Sequence, residues 1–91
     1  MSLKLTIPTA LRRITADADV IEVDPGTVRE IIARVDETYS GFRARVCEDD
    51  GNLRRFINIY VDGEDIRFLD GLETAVEDGD EVTILPAVAG G

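Results

Sequence analysis

The chain contains no histidine and a single cysteine among its 91 residues. Without histidine it lacks the commonest general base near neutral pH and the familiar zinc and triad arrangements. Intrinsic catalysis is not expected. A lone cysteine forms no internal disulfide, which fits a reducing compartment. Long apolar runs are also missing. The stretch Met1-Ser2-Leu3-Lys4-Leu5-Thr6-Ile7-Pro8 alternates instead of presenting a signal-peptide core, and no segment is long enough to span a bilayer. The expected location is the cytoplasm, with no membrane partner. Positive charge is scarce: 10 Lys and Arg against 19 Asp and Glu leave a net charge of -9. That balance argues against a nucleic-acid partner and favours partners with basic surfaces.

What is present suits one small folded domain. Hydrophobic residues make up 44% of the chain, and a chain of this size buries roughly two thirds of its unfolded surface. Leu3, Leu5 and Ile7 alternate with Lys4 and Thr6, the pattern of a strand with one buried face, and Pro8 ends it. Leu11 to Asp19, with Arg12 and Arg13, reads as a connecting loop. Val20-Ile21-Glu22-Val23 is a second strand, stopped by the turn Asp24-Pro25-Gly26. Thr27 and Glu30 form a capping box at the start of a helix. Val28, Ile31, Ile32, Val35 and Tyr39 make its apolar stripe, and Gly41 suits its C-terminal cap.

From Phe42 to Arg55 periodicity dissolves. Glu48-Asp49-Asp50-Gly51-Asn52 reads as a solvated acidic loop, since it lacks the later bidentate Glu of an EF-hand. Cys47 lies near Arg43 and Arg45, cations that could activate a thiol, but an apolar filler is the favoured reading. Phe56-Ile57-Asn58-Ile59-Tyr60-Val61 is expected as the central strand. The hairpin turn Asp62-Gly63 then leads to a short return strand, Glu64 to Phe68. Leu69 to Ala75 holds a turn at Asp70-Gly71 and a single helical turn. Asp78-Gly79-Asp80 launches a last strand, Glu81-Val82-Thr83-Ile84-Leu85, with Pro86 weakening further pairing.

This order predicts an α+β domain over residues 1–86, with one main helix across one face of a mixed sheet. Ile57, Ile59, Val61, Val82 and Ile84 should face the helix. Phe56, Tyr60 and Leu85 then form a partly apolar outer patch, a candidate docking face. Residues 87–91, Ala87-Val88-Ala89-Gly90-Gly91, form a flexible C-terminal tail whose side chains shrink to nothing. A tip without Cβ atoms threads a channel where a side chain would clash. Val88, Ala89 and Gly90 are read as the threading segment, and the Gly91 carboxylate as the reactive group.

Asp78-Gly79-Asp80-Glu81-Val82-Thr83-Ile84-Leu85-Pro86 with the terminal Gly90-Gly91 resembles the C-terminal signature of the MoaD/ThiS family of ubiquitin-like sulfur carriers. The stretch Asn58 to Phe68 resembles the same family, and 56–91 is most similar to its CysO-type carriers of cysteine synthesis. The resemblance implies a ubiquitin-like β-grasp fold and a defined chemistry at Gly91. An E1-like adenylyltransferase/sulfurtransferase would use ATP to adenylate Gly91, and a sulfur donor would displace AMP to leave a thiocarboxylate. A pyridoxal-phosphate-dependent cysteine synthase would accept that sulfur, and a zinc-dependent peptidase would free the cysteine. On this reading the chain itself binds no cofactor and no metal. Other destinations share the tail chemistry: molybdopterin synthase (as its small subunit), thiamine, or thio-containing secondary metabolites. A ubiquitin-like modifier joined to lysines and a plain acidic interaction domain are readings of other classes.

Overall fold

The computed structural model of the protein describes residues 2–86. Its main sheet is built from β1 (Leu3–Thr6), β2 (Val20–Val23), β4 (Ile57–Val61), β5 (Glu64–Asp65) and β7 (Glu81–Pro86), in the spatial order β2-β1-β7-β4-β5. β1 and β7 run parallel, and the other neighbours are antiparallel, so the sheet is mixed. The first and last strands lie side by side. The strand at the centre is β7, however, and not the 56–61 segment. β7 lies between β1 and β4, the third of five strands in spatial order. A second, two-stranded sheet pairs β3 (Gly26–Thr27) with β6 (Ala75–Val76).

The principal helix, α1 (Val28–Thr38), begins as its sequence requires. Thr27 Oγ1 accepts the Glu30 N–H at 3.2 Å, and Glu30 Oε1 accepts the Thr27 N–H at 2.9 Å. Val28, Ile31, Ile32 and Val35 are buried on one stripe. They join a single core with Leu3, Leu5, Ile57, Ile59, Val61, Val82 and Ile84 from the inner face of the sheet. Alternation along β4 and β7 places Val61 against Val82 and Ile59 against Ile84, all pointing inward. This is the β-grasp arrangement.

Several segments depart from the pattern in the sequence. Phe42–Val46 is a short second helix, α2, where no element was expected; Phe42 and Val46 lie four residues apart and are both buried. Gly41, expected at the C-terminal cap of α1, is instead the N-cap of α2; the cap of α1 is Tyr39, whose N–H donates to the Val35 carbonyl at 2.8 Å. With φ of 99° Gly41 turns the chain, and Asp36 Oδ1 accepts the N–H groups of Gly41 (3.1 Å) and Arg43 (3.0 Å) at the start of α2. The loop expected over 11–19 is entered through a 3-10 turn, Thr9–Leu11, and Leu11 is buried. Phe56 belongs to the turn before β4 and not to the strand.

The return strand is only Glu64–Asp65. Ile66–Phe68 is a 3-10 turn, started by the Asp65 carboxylate accepting the Arg67 N–H at 2.9 Å. β5 is thus too short to cover all of β4. The Arg67 guanidinium completes the job by donating to the Ile57 carbonyl at 2.9 Å and to Asn58 Oδ1. An otherwise open sheet edge is satisfied by a side chain.

Candidate functional site

The tail residues Val88, Ala89, Gly90 and Gly91 lie outside the described residues, as does Ala87. The site that can be described is the end of β7 from which they continue. That strand is anchored by Val82 and Ile84, each 1% exposed in the core. Its pairing with β1 stops at Thr6 opposite Thr83, because Pro8 ends β1 soon after. Its pairing with β4 runs on through Asn58 opposite Leu85 to Ile57 opposite Pro86.

Register explains why Pro86 fits there. The Asp62 N–H donates to the Glu81 carbonyl at 2.8 Å. Antiparallel alternation then makes 60/83 and 58/85 the hydrogen-bonded pairs. The missing N–H of Pro86 accordingly faces the β1 side, where the ladder has already ended. Among the described residues β7 is paired up to Pro86, on its β4 side alone after Thr83.

The outer patch expected from sequence is divided by the structure. Tyr60 and Leu85 share the face of the sheet away from α1, with Tyr60 opposite Thr83 and Leu85 opposite Asn58, so they sit diagonally. Leu85 is 47% exposed and Phe56 is 64% exposed, but Phe56 stands ahead of the strand beside the root of the tail. Sequence reasoning missed Phe68, which is 85% exposed and lines a hollow with Tyr60, Gly63, Glu64 and Asp65. Assigning Phe68 to a strand concealed it. The available signal was Asp65, whose side chain starts a turn and interrupts the strand pattern.

Cys47 is buried in an isolated bridge with Leu53, and it packs in the hydrophobic core. Burial pushes its thiol pKa up; the Arg43 charge opposes this without overcoming it. The residue is a filler in the neutral form, as favoured from sequence. Among the described residues no group of histidine, cysteine and carboxylate side chains could hold a metal ion, and no helix is long and apolar enough to cross a membrane.

Comparison with known proteins extends these observations along the whole chain. The sulfur carrier protein CysO of Mycobacterium tuberculosis is 45% identical over 93 residues, covering 100% of both chains. A crystal structure of the Amycolatopsis orientalis BexX/CysO complex contains a chain 48% identical to this one, with a TM-score of 0.91 over 98% of this chain and 99% of that one. Small archaeal modifier protein 3 of Haloferax volcanii is 37% identical over 68 residues, 75% of this chain and 73% of that protein. The ThiS family pattern matches residues 5–91, and so includes the tail. With the β-grasp architecture and the position of its last strand, these matches place the chain in the ThiS family.

Proposed function

We propose that the protein is a CysO-type sulfur carrier, a co-substrate and not a catalyst, whose folded body spans 1–86 and whose tail spans 87–91. The observation that supports this best is end-to-end similarity to the mycobacterial CysO, through the final Gly90-Gly91. A carboxylate resists nucleophiles because its charge is delocalised, so it must first gain a leaving group. The Gly91 carboxylate attacks the α-phosphorus of ATP on an E1-like enzyme, releasing pyrophosphate. A sulfur nucleophile then attacks the acyl adenylate, AMP departs, and a thiocarboxylate remains. That sulfur passes to a pyridoxal-phosphate-dependent synthase, with cysteine synthesis as the first destination, and a zinc-dependent peptidase releases the product. The carrier works in the cytoplasm.

Val88, Ala89 and Gly90 thread the tail into partner channels, and Phe56, Tyr60 and Leu85 dock the body. Partner binding by a related carrier is in keeping with the Amycolatopsis complex, in which a CysO accompanies BexX. A second reading, attachment of Gly91 to lysines, draws on the likeness to the archaeal modifier. Incubation with the E1-like enzyme, ATP and sulfide, followed by intact-mass measurement, tests the proposal. The expected result is the gain of sulfur for oxygen at the C-terminal peptide. Replacing Gly90 by tryptophan should abolish that gain while the fold persists. Absence of the gain in the unaltered protein, together with Gly-Gly remnants on lysines in cells, would favour the modifier instead.

A further inference from the structure

Four of the chain's 10 Lys and Arg residues lie on the segments that flank the root of the tail. Because β1 runs parallel to β7, the chain leaving β1 emerges beside the end of β7. Arg12 Nε donates to the Ile7 carbonyl at 3.1 Å, which holds that guanidinium at this end. On the other side β4 runs antiparallel, so the segment entering it lies at the same end, where Ile57 faces Pro86. The Ile57 N–H donates to the Arg54 carbonyl at 3.1 Å. The order β1-β7-β4 therefore sets the root of the tail between Arg12-Arg13 on one side and Arg54-Arg55 on the other.

Nearby carboxylates are Asp17 and Asp19 beside the first pair and Glu48, Asp49 and Asp50 beside Arg54, whose guanidinium is held by Glu48 at 3.4 Å and by the Ala44 carbonyl at 3.0 Å. Arg13 and Arg55 are exposed and make no ion pair among the described residues. The opposite end of the sheet is acidic. There the two turns carrying Asp62, Glu64, Glu77, Asp78, Asp80 and Glu81 are tied together: Asp62 Oδ1 accepts the Glu81 N–H at 2.9 Å. Lys4 lies at that end, in register with Glu22 and Glu81.

We infer that this arginine collar docks on an acidic rim around the partner channel that receives the tail. The inference rests on the sulfur-carrier reading and specifies the partner's surface. Net charge alone favoured basic partners, but distance reverses that choice. The 6 residues of β7 span about 20 Å, while the Debye length at physiological ionic strength is about 8 Å. A surface meeting the tail end is therefore screened from the far carboxylates and meets the exposed Arg13 and Arg55, which form no ion pair among the described residues. The separated charges also turn the molecule tail-first as it approaches an acidic surface. Nucleotide phosphates are a poorer match for the collar. In an extended tail the last Cα lies up to about 17 Å beyond Pro86, so the reacting phosphates are far from the arginines at its root.

The test is steady-state adenylation, read as pyrophosphate release, with the E1-like enzyme of the same organism at low and high salt. The double variant Arg13→Glu/Arg55→Glu should lose about tenfold or more in kcat/KM at low salt. The loss should lie in KM and shrink as salt rises. Glu64→Lys/Glu77→Lys, at the opposite end, should stay close to the unaltered protein. Circular dichroism checks the fold, and Arg13→Gln/Arg55→Gln gives a milder version of the same loss should charge reversal unfold the chain. Unchanged kinetics in the arginine variants, or a salt-independent fall in kcat, overturns the collar while leaving the carrier reading standing. If the unaltered protein is neither adenylated nor bound by that enzyme, the carrier reading and the collar fall together.

Discussion

Cys47 shows how one residue's surroundings decide between chemistry and packing. Its neighbours in sequence include two arginines, yet the backbone places the sulfur in the core at 5% exposure. Desolvation raises the pKa against the pull of Arg43, so the thiolate is scarce at neutral pH. Alkylation by iodoacetamide under native conditions is expected to run about tenfold or more slower than in denaturant; equal rates would show an accessible, activated thiol. Arg67 teaches a related lesson. Its charge in the sequence says only that it is soluble, whereas its guanidinium closes the edge of β4 at Ile57. Neither outcome is readable from residue type, because both depend on chain segments distant in sequence.

Elements whose signals are local were legible. The capping box at Thr27 and Glu30 formed as the spacing requires, and the Asp62-Gly63 hairpin formed with positive φ at both residues, 50° and 87°. Short elements were not legible: α2 has only 5 residues, and β3 and β6 have 2 each, too few to establish a period. Thr27→Ala should destabilise the fold by about 1 kcal/mol through loss of the cap, measured by urea unfolding. Glu30 adds a pH dependence. Its pKa is lowered below 4.5, first by the backbone hydrogen bond from Thr27. A depressed folded-state pKa stabilises the protein above the unfolded value, and that contribution disappears as pH falls through the folded value. The stability difference between the protein and Glu30→Gln should hold steady above pH 4.5 and change below it; a difference flat across that range would remove the carboxylate from the account.

For the whole molecule, the fold directs one strand end outward. The parallel pairing of β1 and β7 could be anticipated only through the resemblance to ubiquitin-like carriers, since strand order in sequence leaves neighbours in space undetermined. The outer apolar patch was partly legible: Tyr60 and Leu85 share a face by alternation, whereas Phe56 and Phe68 owe their exposure to turns. The proposed reactive end is read from its lack of side chains and its likeness to the carrier family, since Gly91 lies outside the described residues; on that proposal the body presents it. The most direct measurement compares the intact protein with one semisynthesised as a Gly91 C-terminal amide, both incubated with the E1-like enzyme, ATP and a sulfur source. The account predicts that the amide keeps the same fold but yields no acyl adenylate and delivers no sulfur. Sulfur delivery by the amidated protein at the rate of the acid would contradict it.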